Sequence, residues 1–228
     1  ITRFTEIIGT LEKASVDVLP TDKKNGLLGE ARLCRGMMLY YLMHVFGPVP
    51  VILDYDKVLD DEAQRTTVRP TLDEMCGFIY NDLAFAVNNA PETQSEQGRY
   101  TRDYARFCLM RHCLNEGYHM TGYYDKGLEM FAELKGKYSL FKSGENPNAD
   151  LYKNANKFNN EIIMAVSCDP TSDGNPKHGN ANILSMLNLP WDASALDPNG
   201  QPTVFYPQNG GWNAYYNVAK SFYDSFDS

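Results

Sequence analysis

The sequence lacks the positive charge that a nucleic-acid partner would require. Its 228 residues carry 21 Lys and Arg against 29 Asp and Glu, a net charge of −8, and an acidic chain is repelled by a phosphate backbone. Cysteine is scarce: Cys34, Cys76, Cys108, Cys113 and Cys168 form no CxxC pair and are odd in number. Length and spacing exclude a disulfide scaffold and leave buried thiols as the reading. A membrane-spanning run is missing too. Residues 36–53 hold 18 positions without formal charge, but Gly47, Pro48 and Pro50 stop any helix near Phe46, well short of a span. No GxSxG, Walker loop, dinucleotide fingerprint or HExxH occurs, so the common signatures of hydrolases, nucleotide enzymes and zinc proteases are absent.

What is present is helical periodicity. Phe4, Ile7, Ile8 and Leu11 open the chain in helical phase, and Leu28, Ala31, Met38, Leu42 and Val45 continue it over residues 26–46. Thr71 followed by Glu74 is a capping box ahead of Leu72, Met75, Ile79, Leu83 and Val87, which predicts a helix over 72–90. Thr101 caps a predicted helix over 102–119, and Gly122 turns the chain into another over 123–136. The stretch from Ala105 through Gly127 to Phe131 resembles a tetratricopeptide repeat, with Gly127 at a close helix approach and Phe131 filling the gap. The helix starts keep no fixed period. The expected fold is therefore mainly α: irregular tetratricopeptide-like helical hairpins with a long loop-rich region and little strand. Residues 1–167 form the scaffold. Residues 168–228 form a loop-rich region packed on it as one structural unit, incomplete at its C-terminus. The one strand-like run is 161–166, Glu-Ile-Ile-Met-Ala-Val.

Candidate chemistry is sparse in the scaffold and concentrated in the loops. His112, Glu116 and His119 share one predicted helix face and could offer metal ligands, though a solvated face explains them as well. The Asp169 to Gly174 run resembles half of a calcium loop, but Asn180 stands where a bidentate Glu is needed, so a plain turn is the reading and no cofactor is expected. The carboxylates from Asp54 to Glu62 read as a solvated loop. Arg35, set in an apolar helix, must be paired, with Asp82 as first partner and Glu30 as second. Between Pro170 and Tyr215 stand four formal charges, nine Asn or Gln, six Pro and both tryptophans. Trp191, Tyr206 and Trp212 could stack against the apolar face of a sugar ring, while Asp192, Asn209 and Asn213 bond its hydroxyls. The same aromatics could equally plug the loop onto the helices.

The stretch Gly29-Glu-Ala-Arg-Leu-Cys-Arg-Gly36, then Tyr40-Tyr41 and Phe46-Gly-Pro-Val-Pro50, resembles the signature of the SusD/RagB family. Arg69-Pro-Thr71, Asn81-Asp-Leu83, Gly98-Arg-Tyr100, Lys137-Tyr-Ser-Leu140 and Asn160-Glu-Ile-Ile163 continue the pattern in order, with Gly36 where Ala is usual and Cys34 where a bulkier apolar residue is common. The resemblance implies a non-catalytic outer-membrane lipoprotein, exposed at the cell surface, that binds oligosaccharides and serves a SusC-like TonB-dependent transporter. Peptide capture for a related transporter, or a helical-repeat adaptor, are the alternatives. Family members are longer at both ends, so a fragment is expected, with the lipid anchor outside this chain. The family's ligand residues lie in variable loops outside its signature, so none carries over by position.

Overall fold

The computed structural model describes residues 1–165 apart from 96, 97 and 157. They make up the first of two units into which the chain divides, Ile1–Ala165 and Val166–Ser228. The described residues of this unit begin with α1 (Thr2–Lys13), α2 (Thr21–Phe46), the short α3 (Asp61–Thr66), α4 (Leu72–Asn89) and α5 (Arg102–Glu116). They are followed by α6 (Tyr123–Leu134), the one-turn α7 (Pro147–Leu151) and a 3₁₀ turn at Asn154–Asn156. Successive long helices pack on one another: α1 on α2, α2 on α4, α4 on α5 and α5 on α6. Contacts fix the directions. Gly29 meets Ala90 and Gly36 meets Asp82 and Leu83, so α2 and α4 run antiparallel. Arg106 bonds Glu133 while Gly127 meets Cys113 and Leu114, so α5 and α6 do too.

Local chemistry accounts for the helix ends. The Thr71 hydroxyl accepts from the Glu74 N–H and the Glu74 carboxylate accepts from the Thr71 N–H, closing the capping box of α4. Thr101 accepts from the Tyr104 N–H at the start of α5. At the other end of α2, Gly47 takes φ 71°, which a side chain would oppose, and Pro48 follows. α2 begins five residues earlier than its apolar phase indicates. Pro20 occupies the cap and Asp22 lies in the first turn, so a polar turn extends the helix before its buried face starts. α3 is a helix that the carboxylate run concealed: Asp60 caps it by accepting from the Ala63 N–H, and none of its residues is buried.

The main core is continuous through α2, α4, α5 and α6 and holds Leu33, Leu39, Met75, Ile79, Leu83, Leu109 and Met130. Gly127 does stand at a close approach, 3.1 Å from Leu114 for a virtual Cβ. Phe131 does not fill the gap behind it. It faces solvent, and Met130, one position earlier, is the buried residue. No strand occurs among the described residues. Residues 161–165 are irregular, and the segment at 139–141 meets their start through a single backbone bond, Ser139 N–H to the Asn160 carbonyl at 3.1 Å. Ile162 closes a turn onto Asn159, and the Glu161 carboxylate accepts from the Phe141 N–H at 2.7 Å.

Candidate functional site

Arg35 lies at the junction of three segments and is 5% exposed. Its Nε and Nη2 donate to the two carboxylate oxygens of Asp82 on α4 at 2.7 and 2.9 Å. Its Nη1 reaches Thr5 on α1 at 3.2 Å and the Leu53 carbonyl of the connecting loop at 3.4 Å. This two-pronged fork is the geometry in which an arginine best offsets the loss of water. Arg32, one turn back, adds a 3.4 Å bond to Asp82, a 2.8 Å bond to Glu12 and a stack over the Phe85 ring. Glu30 is not a partner of Arg35. It takes Arg99 at 2.6 Å instead, because it points from α2 toward the loop that precedes α5. Arg35, Asp82 and Glu30 are thus committed to holding elements together, and none is free to meet a ligand.

The other motif positions behave in the same way. Arg111 stacks over Tyr40 at 4.7 Å and Tyr41 at 5.6 Å, and Asn115 donates to the Tyr40 hydroxyl at 2.6 Å. Arg69 donates to the Pro48 carbonyl. Glu30 and Arg99, Arg35 and Asp82, and Arg69 and Pro48 each join one recurring motif to another. These positions of the signature are thus engaged in contacts between helices and loops.

The three residues of the predicted polar face on α5 separate. His112 is fully buried and its Nε2 donates to the Cys76 carbonyl at 3.1 Å. Burial pushes its pKa down to about 4, so it is a neutral core histidine and no ligand. Glu116 and His119 do come together, at 3.0 Å, and Cys76 of α4 joins them, its Sγ 3.7 Å from the Glu116 carboxylate. Cys76, 40 residues away in sequence, carries no local signal that would place it there.

Grooves on the described surface offer a different kind of site. One of about 390 Å³ runs beside α5, lined by Tyr104, Phe107, Leu151, Tyr152, Glu161 and residues 162–164. Tyr100, just before α5, stacks on Tyr104 and Tyr104 on Phe107 at 5.6 and 6.3 Å between ring centres. Tyr152 stands 85% exposed at the rim. The spacing of these aromatics at i, i+4 and i+7 was the available signal for them. Trp191, Asp192, Tyr206, Asn209, Trp212 and Asn213 all lie outside the described residues, as does the 169–174 segment considered for calcium.

Antiparallel helical hairpins stacked in series, stitched by buried arginine–carboxylate forks, define a tetratricopeptide-like helical scaffold. Residues 6–109 match the SusD-like family, described as starch-binding and associating with the outer membrane. A SusD-like protein of Bacteroides ovatus is 28% identical over 177 residues, 76% of this chain and 32% of that protein. A laminarin-binding SusD-like protein has a TM-score of 0.75 at 19% identity, over 100% of this chain and 48% of its own. A SusD superfamily protein from Bacteroides vulgatus gives 0.70 at 19% identity, over 97% of this chain and 45% of its own. The chain is similar in sequence to SusD-like proteins over residues 6–109 and shares their fold, and it spans about a third of the length of the curated relative it matches. Among the described residues no helix is long and apolar enough to cross a membrane.

Proposed function

We propose that this chain is part of a non-catalytic cell-surface protein that captures oligosaccharides and passes them to a SusC-like TonB-dependent transporter in the outer membrane. The observation that carries the reading is the match of residues 6–109 to a family described as starch-binding and outer-membrane-associated. The laminarin-binding fold neighbour supports the ligand class.

Trp191, Tyr206 and Trp212 are the proposed stacking platforms, with Asp192, Asn209 and Asn213 bonding hydroxyls; the near-absence of formal charge around them suits a neutral sugar. The groove beside α5, with Tyr152 at its rim, is a second place where a ring could rest. One stack and a few hydroxyl bonds give about −4 to −8 kcal/mol, a millimolar to micromolar affinity compatible with handing a ligand onward. Calorimetric titration of the complete protein with a glycan panel tests this, with Ala variants at 191, 206, 212 and 152. A platform variant should lose sugar binding with melting nearly unchanged, whereas a residue that plugs the core should cost about 3–5 kcal/mol of stability. Saturable binding to none of the glycans would end the reading.

A further inference from the structure

Glu116 is 6% exposed and gathers three polar side chains, from α2, α4 and the turn that follows α5. Its Oε2 accepts from the His119 Nε2 at 3.0 Å and from the Cys76 thiol at 3.7 Å, and its Oε1 faces the His44 Nε2 at 3.3 Å. Each histidine has its remote nitrogen occupied: the His119 Nδ1 by Asp73 Oδ1 at 3.1 Å, the His44 Nδ1 by the Tyr40 carbonyl at 2.9 Å. This is the arrangement that orients imidazoles around a metal, the outer acceptor fixing the ring while the inner nitrogen points at the site. Sulfur, nitrogen and carboxylate oxygen from Cys76, His119 and Glu116 all lie within 4.8 Å of one another. A tetrahedral zinc ion with bonds of about 2.0–2.3 Å needs ligand separations of about 3.3–3.5 Å, so small side-chain rotations suffice.

The geometry points to a zinc-class divalent metal site formed by Cys76 Sγ, Glu116 Oε2 and His119 Nε2 where α4 meets the C-terminal end of α5. The mixed thiolate, imidazole and carboxylate donors suit zinc and not calcium or magnesium, which require oxygen. A metal takes the Cys76 sulfur as thiolate and the His119 Nε2 without a proton, so binding there is coupled to proton release.

The test is cobalt(II) titration of the full chain after dialysis against chelator. The expected result is one equivalent bound, with a thiolate-to-metal charge-transfer absorption that zinc displaces. Cys76→Ser should abolish the absorption, and Cys113→Ser, at a buried thiol one turn from Glu116, should retain it. Should Cys76→Ser fail to fold, His119→Gln on the half-buried side serves instead, and there the affinity should fall at least tenfold. Folded wild-type chain that takes up no saturable cobalt overturns the proposal. So does a charge-transfer absorption that survives both variants.

Discussion

Asp82 accepts three hydrogen bonds from two arginines at a site 2% exposed, so its removal would leave the Arg35 guanidinium buried without its carboxylate. Asp82→Ala should destabilise by about 3–5 kcal/mol in urea unfolding. Arg35→Leu should cost less, since Arg32 still reaches Asp82. His112 sets a pH dependence of known sign. Its pKa falls from 6.5 unfolded to about 4 folded, so the unfolded chain takes up the proton first as pH drops. Its contribution is present above pH 6.5 and is lost on the way down to pH 4, about 3 kcal/mol in all. His119 acts oppositely: its raised pKa favours folding below pH 6.5, and that gain fades as pH rises through the folded value. His112→Gln, which can still donate to the Cys76 carbonyl, should flatten the decline between pH 6.5 and 4 when urea midpoints are compared with wild type. The need to pair Arg35 was legible from one charge in an apolar run. That Glu30 belongs to Arg99, 69 residues away, was not, because only the folded chain decides between two available cations.

The register of α2 on α4 rests on two glycines seven residues apart. A Cβ on Gly29 would lie 2.6 Å from the Ala90 backbone nitrogen, so Gly29→Ala must push the helices apart and should cost about 1–3 kcal/mol. A Cβ on Gly36 would meet the Leu83 Cδ2 at 3.0 Å, a methyl that can rotate away. Removing a mid-helix glycine also gains about 1 kcal/mol, so Gly36→Ala should be close to neutral. Thermal melting of the two variants side by side checks the contrast. Thr71→Ala should remove about 1 kcal/mol through the lost cap. Helix ends of this kind were legible because Thr71, Thr101 and Gly47 act on their immediate neighbours. The length of α2 and the existence of α3 were harder to read, since Asp22 and Asp60 stabilise helix starts that have no apolar phase.

Across the whole molecule, a net charge of −8 would make binding of an ionic ligand depend on salt, while a neutral sugar is insensitive to the field. The glycan dissociation constant should therefore change little between low and high ionic strength, which repeated calorimetry would show. The hairpin architecture was legible because apolar periodicity is local, and the family pattern because its motifs retain their order. The Cys76, Glu116 and His119 grouping was not, since it depends on how α4 and α5 face each other. The α2 helix, about 39 Å long at 1.5 Å per residue, packs against both α1 and α4, with Leu33 and Leu39 fully buried at mid-length. Its central amides can then meet deuterium only when the entire unit opens, whereas those of α3, with no buried residue, need a local excursion alone. A protease added to the native protein would accordingly cut first near 61–66 and leave the two flanking helices, α2 and α4, associated through the Arg35 fork.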